Sequence, residues 1–365
     1  MTPRESEKRR PRRRFLGALA ALCACGAFAP FDRARAQSAQ ATFVLSSPAR
    51  AAQIRRRVPA PLAAALRAQA DASMARVPHP RAVVHTQGLL PHEQDRDASV
   101  QAQEDWRQTL LQGLAWCVTG EDAYAAKAET YIEAWIPHYV SSSNPIDEAD
   151  LVDLLFGFDF VRSRLPAATI EKARALGCQM ARGYLGERRV GDPSTGLNNW
   201  QSHRVKLATA GAFLAGDAAL ISAAREAFFA HVARNVDAGG LTYDFGQRDA
   251  IHYVVYDLEP LMLAASIAAA HGQDWYGAPQ IQGRLAAALG WLAPYAKGER
   301  AHEEFVHSTV RFDARRAAAH VEGYSGWWQR EEASGLYGIA ARLDPHFAPV
   351  AAALDPQPVV RALFV

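Results

Sequence analysis

Two short segments of this 365-residue chain gather side chains able to neutralise a carboxylate and move a proton. The first is Asn198-Asn199-Trp200-Gln201-Ser202-His203. It follows the turn-forming run Gly191-Asp192-Pro193-Ser194-Thr195-Gly196, so it is expected to open a helix. On a helix Asn199 and His203 stand four residues apart and share a face. Trp200 beside them offers a flat surface for a sugar ring. A cap with a surface histidine is the plainer reading, but three polar groups and a tryptophan exceed what capping needs.

The second segment runs Gln247-Arg248-Asp249-Ala250-Ile251-His252-Tyr253-Val254-Val255-Tyr256-Asp257-Leu258-Glu259-Pro260. Read as one helix, it aligns Arg248, His252 and Tyr256 in a stripe of cation, imidazole and phenol. Asp249, Tyr253 and Asp257 form the neighbouring stripe. Core helices rarely devote so many positions to titratable groups.

Such a set suits elimination next to a uronic acid. The C5 proton of a uronate is weakly acidic because the adjacent carboxylate is already negative. Donors must neutralise that carboxylate and hold the charge that develops. A base must take the proton, and an acid must protonate the departing O4. Asn199 and Arg248 are suitable donors. His203 or His252 can serve as a base near neutral pH. Tyr256, ordinarily titrating at about 10, needs a cation such as Arg248 to act as a base, and can equally act as the neutral acid.

The elements that must position these groups read as helices. Ala, Leu, Glu and Arg dominate, and no segment shows strand-like alternation. Helical runs are broken by Gly followed by an acid at Gly120-Glu121-Asp122 and Gly216-Asp217, by Gly272-Gln273-Asp274, and by Asp344-Pro345. Glycine suits the end of one helix and an acid the start of the next. The expectation is an all-α chain of antiparallel helical hairpins forming an incomplete (α/α) toroid or barrel. Two polar stretches, 84–98 and 141–148, read as long loops of the kind that often form lids or rims.

With hydrophobic residues at 49%, the chain can bury a sizeable core. Its first 36 residues read as a leader rather than fold: a charged start ending in Arg12-Arg13-Arg14, an apolar stretch from Phe15, and Ala34-Arg35-Ala36. The basic pair before Phe15-Leu16 matches a twin-arginine signal and predicts a periplasmic protein without a membrane anchor, residues 37–365 forming one domain. The leader takes nine basic and three acidic residues with it. The 31 basic and 35 acidic residues that remain give no reason to expect a nucleic-acid partner. Cys117 and Cys178 remain; a disulfide is possible in an oxidising compartment, but each sits in a helical run where a free thiol is the better expectation.

From residue 84 to 263 the chain resembles the alginate lyase family, whose fold is an α/α toroid. The resemblance is carried, in order, by His85-Thr86-Gln87-Gly88-Leu89-Leu90-Pro91-His92, Leu114-Ala115-Trp116 with Thr119-Gly120, and Tyr124-Ala125-Ala126-Lys127-Ala128. It continues through Asn144-Pro145-Ile146-Asp147-Glu148, Asn198-Asn199-Trp200 and Tyr256-Asp257-Leu258-Glu259-Pro260-Leu261. The resemblance implies a lyase that needs no cofactor and acts on an acidic polysaccharide. In it Asn199 neutralises the carboxylate, Tyr256 is base, acid or both, and the loop from His85 covers the substrate. Gln87, His92, Asn198, Trp200 and Tyr253 are the expected substrate contacts. The chain departs from the family in having Trp200 where a histidine follows the asparagine pair. It also has Arg248 eight rather than seven residues before the tyrosine, with Asp249 in the other register. The expected polymer is accordingly alginate or a related glucuronan.

Three other readings compete. A glycoside hydrolase on an α/α barrel needs two carboxylates flanking a bond, and Asp249, Asp257 and Glu259 fall on one helix. A non-catalytic polysaccharide-binding protein of the cell envelope would not need Arg248, His252 and Tyr256 together. A zinc site at His302-Glu303-Glu304-Phe305-Val306-His307 is the weakest, because histidines five apart face away from each other on a helix.

Overall fold

The computed structural model describes residues 42–186 and 195–365; the expected leader and four of the six residues of the turn at 191–196 lie outside the described residues. Ala41–Val365 forms one compact unit. The helices are α1 (Pro48–Arg57), α2 (Ala60–Ser73), α3 (Gln94–Thr119), α4 (Asp122–Trp135), α5 (Leu151–Val161), α6 (Ala167–Leu185), α7 (Asn199–Ala215) and α8 (Ala218–Asn235). They continue as α9 (Tyr243–Arg248), α10 (Ile251–Ala270), α11 (Arg284–Ala296), α12 (Arg311–Ala318), α13 (Ser334–Leu343), α14 (Ala348–Leu354) and α15 (Pro358–Leu363). Among the described residues there is no strand, only isolated bridges between Val236 and Thr242 and between Glu303 and Trp327. The pairs form an incomplete α/α toroid: α3 packs on α4 and α5, α6 on α7, α7 on α8 and α10, and α10 on α13.

The glycine–acid punctuation marks real hairpins. Gly120 ends α3 in the left-handed region at φ 77° and donates its N–H to the Trp116 carbonyl. Gly216 ends α7 the same way at φ 67°, and Asp217 caps α8 by accepting from the N–H groups of Ala219 and Leu220. After Gly272 the next helix is delayed. A short 3-10 turn, Pro279–Ile281, intervenes before α11. The stretch 84–98 is also not one loop, because α3 starts at Gln94, with Asp95 and Asp97 at its positive N-terminal end.

Two helix contacts depend on missing side chains. A Cβ on Gly211 would stand 2.6 Å from the Gly177 carbonyl oxygen, and one on Gly177 would stand 2.7 Å from that of Gly211. A Cβ on Gly157 of α5 would reach within 2.5 Å of the Thr109 carbonyl of α3. The backbones approach closely, and that lets α7 become a core helix buried on nearly every side. Helix α10 is long and apolar enough to cross a membrane, yet 78% of the relevant window is buried inside the protein, as in a core helix. Cys117 is buried, which pushes its thiol up to about 11, and both Cys117 and Cys178 are unpaired thiols.

The two polar loops are tied to each other. Asp147 accepts from the backbone N–H groups of Thr86 (2.8 Å) and Gln87 (2.7 Å), and its other oxygen meets His85 Nδ1 at 3.2 Å. Glu148, fully buried, accepts from Tyr139, Ser141, Ser142 and Tyr184. The loop over 141–148 is therefore a fixed bracket that holds the His85–Gly88 turn.

Candidate functional site

The N-terminal ends of α7 and α10 meet under this bracket and open a cavity of about 590 Å³. Thr86, Gln87, Gly88 and Ile146 line it from the tied loops. Asn199 and Trp200 enter from α7, Arg248 from α9, and His252, Tyr253 and Tyr256 from α10. Phe312, Arg315 and Arg316 of α12 and Tyr324 close the far wall.

The expected single stripe through Arg248, His252 and Tyr256 is broken. Asp249 takes a left-handed conformation (φ 49°) that ends α9, and α10 starts afresh at Ile251. Glu304 caps this new start from outside, accepting from the N–H groups of Ile251 (2.8 Å) and His252 (3.2 Å). Burial pushes the Glu304 carboxyl up to about 8, although both backbone bonds oppose the shift. The kink still leaves all three side chains on one cavity.

Arg248 is heavily engaged. It pairs with Asp313, lies 3.4 Å from Asp244, and its guanidinium sits 3.8 Å above the Tyr253 ring. The Tyr253 hydroxyl accepts from Arg316 Nη1 (2.8 Å) and meets the Tyr324 hydroxyl at 3.2 Å. Asn199 is held by the same Asp244: its backbone N–H donates at 2.6 Å and its Nδ2 at 3.0 Å. Burial raises the Asp244 carboxyl, against these bonds and the charge of Arg248.

His252 Nδ1 lies 2.8 Å from Glu332 Oε2. Its ring is nearly parallel to that of Tyr256, with centroids 6.5 Å apart. Burial, reinforced by Asp150, drives the Tyr256 phenol up, so it is protonated at neutral pH. His203 lies behind this phenol, its ring 4.5 Å from that of Tyr256 and 3% exposed. Burial, aided by Lys206 and opposed by the Tyr256 backbone, holds His203 well below the usual histidine range.

Gln87, Asn199, Trp200, Arg248, His252, Tyr253 and Tyr256 thus share one cavity. Asn198 is the helix cap, accepting from the Trp200 N–H at 3.2 Å. His92 is exposed at φ 75° and does not line the cavity; its N–H donates to Asp97. Sequence reasoning missed Arg315, Arg316 and Glu332. The basic cluster Arg311-Phe312-Asp313-Ala314-Arg315-Arg316 was the signal available for two of them.

Asp249, Asp257, His302 and His307 of the rival readings are engaged in other contacts. Asp257 is fully buried, accepting from Ser202 (2.5 Å) and Asn235 (2.7 Å), and Ser202 Oγ also meets His231 Nε2 at 2.7 Å. Ser202, His231 and Asp257 have a hydrolase triad's composition, but all three are closed to solvent and the serine donates to the aspartate. His302 Nε2 meets the Asp249 carbonyl and His307 Nδ1 meets its carboxylate. Among the described residues no three candidate ligands group as a metal site.

A family model described as alginate lyase matches residues 49–302. The structure is similar to the crystal structure of an alginate lyase from Bacteroides ovatus, with a TM-score of 0.65 at 16% identity, covering 89% of this chain and 99% of that one. It is also similar to a variant of alginate lyase A1-III in its apo form, with a TM-score of 0.59 at 17% identity over 86% of this chain and 90% of that one. The A1-III variant complexed with a tetrasaccharide gives a TM-score of 0.52 at 19% identity, over 72% and 81% of the two chains. No curated protein sequence matches the chain.

Proposed function

The chain belongs to the alginate lyase family, and from that premise we propose that it cleaves a uronic-acid polymer, alginate or a related glucuronan, by β-elimination in this cavity. The supporting observation is the juxtaposition of Arg316, Arg315 and Asn199 with His252 and Tyr256 on one cavity. The first group offers charge and hydrogen bonds for a carboxylate; the second offers a base and a protonated acid.

In this reading the uronate carboxylate lies against Asn199, Arg248 and Arg316. Arg248 already serves two acids, so Arg316 supplies most of the neutralising charge. Glu332 accepts from Nδ1–H of His252, an assignment drawn from the hydrogen bond, which leaves Nε2 as the acceptor. The C5–H bond breaks and its proton goes to Nε2. The C4=C5 double bond forms as the C4–O4 bond breaks, and O4 takes the Tyr256 proton. The imidazolium then returns a proton to the phenolate, so atoms and charge balance. Tyr256 acts as the acid because burial stabilises its neutral form and Asp150 opposes phenolate more than Arg316 favours it. His203 backs the Tyr256 ring as a neutral group. Trp200, Tyr253 and Gln87 contact the sugar. We further propose that the leader over 1–36 exports the folded protein to the periplasm.

The test is a panel of uronic polymers read by the ultraviolet absorbance of unsaturated ends. Unsaturated products with at least one polymer are expected. Depolymerisation with saturated ends only would point to hydrolysis, and binding without cleavage to a recognition protein; either overturns the proposal.

A further inference from the structure

A second, larger cavity of about 680 Å³ opens where the C-terminal ends of α10 and α13 meet α1. Arg50, Arg56, Arg57 and Arg342 line it, and among the described residues no acidic side chain does. Arg50 donates to the backbone oxygens of Leu363 and Val365 and to the Gln53 side chain. Burial and the charges of Arg342 and Arg57 pull it down to about 10. Among the described residues Arg56, Arg57 and Arg342 have no acidic partner. Arg56, Arg57 and Arg342 stand exposed around this cavity, more cations than the one that each helix C-terminus attracts. Ser46 and Ser266 also line the cavity at 2% and 5% exposure, and neither hydroxyl has a hydrogen-bond partner. Buried polar groups without partners are uncommon in native proteins.

The cavity is separate from the cleft. Tyr256 and Ser266 lie ten residues apart on α10, roughly 15 Å along the axis, and Ala270 is roughly 27 Å from His252. Its cations are spread over two helices rather than clustered, and Phe364 and Leu343 add apolar wall. Spaced guanidiniums beside an aromatic surface match a chain carrying one carboxylate per ring better than a compact phosphate.

We propose that this cavity is a second binding site for an acidic sugar chain, holding uronate carboxylates on Arg56, Arg57 and Arg342 away from the cleft. The choice of sugar rests on the substrate reading above. The site keeps a long polymer attached while another part of it enters the cleft.

The experiment compares the mature protein with an Arg56→Gln/Arg342→Gln variant. Calorimetric titration with a uronate oligosaccharide, both proteins carrying Tyr256→Phe to prevent turnover, should give two sites per chain in the parent and one in the variant. With Tyr256 intact, KM for long polymer should rise about tenfold in the variant, equivalent to roughly 1.4 kcal/mol, while kinetics on short oligomers and the melting temperature stay unchanged. One site in both proteins overturns the proposal, as does inorganic phosphate binding the parent at this cavity where uronate does not. Loss of the second site in a protein that cleaves no uronic polymer would sink the lyase reading and leave this one standing.

Discussion

His252 and Glu332, eighty residues apart in the chain, meet with Nδ1 2.8 Å from the carboxylate oxygen. That bond fixes the imidazole at the cavity wall, and in the proposed mechanism its other nitrogen takes the substrate proton. General-base catalysis contributes about 10²–10⁴-fold, so His252→Gln should lower kcat by roughly that amount while KM holds. Glu332→Gln keeps an acceptor but removes the charge that stabilises the imidazolium, and a smaller loss, about tenfold, is expected. Steady-state kinetics on a purified polymer reads both; full activity in His252→Gln would remove His252 as the base.

Tyr256→Phe should abolish most turnover, by about 10²-fold or more, with an unchanged melting temperature, because among the described residues the hydroxyl has no hydrogen-bond partner. Asn199→Ala should also lose turnover but at a structural cost. It strips the side-chain donor from Asp244, a buried carboxyl, which costs about 1–3 kcal/mol. Melting curves beside rates separate the two: equal stability losses in both variants would contradict the assignment.

The helical hairpins were legible because they rest on local rules. Glycine at φ 77° and 67° and the acids that follow act within a few residues of the break. The α9–α10 kink was not, because it depends on Asp249, a non-glycine residue held left-handed by distant contacts: its carbonyl accepts from Phe305 and His302, its carboxylate from His307. Asn199, His252 and Tyr256 were recognisable from type and spacing. Arg316 lines the cavity from the short helix α12, Glu332 meets His252 from the 3-10 turn Arg330–Ala333, and nothing in their local sequence ties them to α10.

Glu304 makes stability pH-dependent. Its folded-state value of about 8 exceeds the ordinary 4.5, so the folded protein holds this proton more tightly than the unfolded chain. The stabilisation is complete below about 4.5 and is lost as pH rises towards 8, at no more than about 1.4 kcal/mol per pH unit. Glu304→Gln should flatten this part of the stability–pH curve in urea titrations. An undiminished slope in the variant would assign the dependence to other groups.

Gly211→Ala tests the close approach of α6 and α7. The added methyl would meet the Gly177 carbonyl at 2.6 Å and the Ala181 nitrogen at 3.0 Å, backbone atoms that cannot move aside alone. Overpacking of this kind costs about 1–3 kcal/mol, which in a domain of this size lowers Tm by roughly 2–4 °C per kcal/mol. Gly246→Ala, where a Cβ meets nothing within 4 Å, is the control and should leave Tm nearly unchanged.

Arg316 and Arg248 should fail in different ways. Arg248 lies between Asp313 and Asp244, each 1% exposed, so Arg248→Gln leaves two buried acids uncompensated and should destabilise the protein by about 3–5 kcal/mol. Arg316 donates to the Tyr253 hydroxyl and stacks on Phe312 and Tyr324, and no carboxylate among the described residues competes for it. Arg316→Gln should therefore fold normally and lose about 10²–10³ in kcat/KM, the magnitude of removing one donor from a developing anion. The decisive comparison uses the methyl ester of the polymer. Esterification removes the negative charge that Arg316 is assigned to neutralise, so the penalty of Arg316→Gln should shrink towards unity on the ester while that of Tyr256→Phe persists. An equal Arg316 penalty on acid and ester would mean that the guanidinium orients Tyr253 rather than meeting the substrate carboxylate.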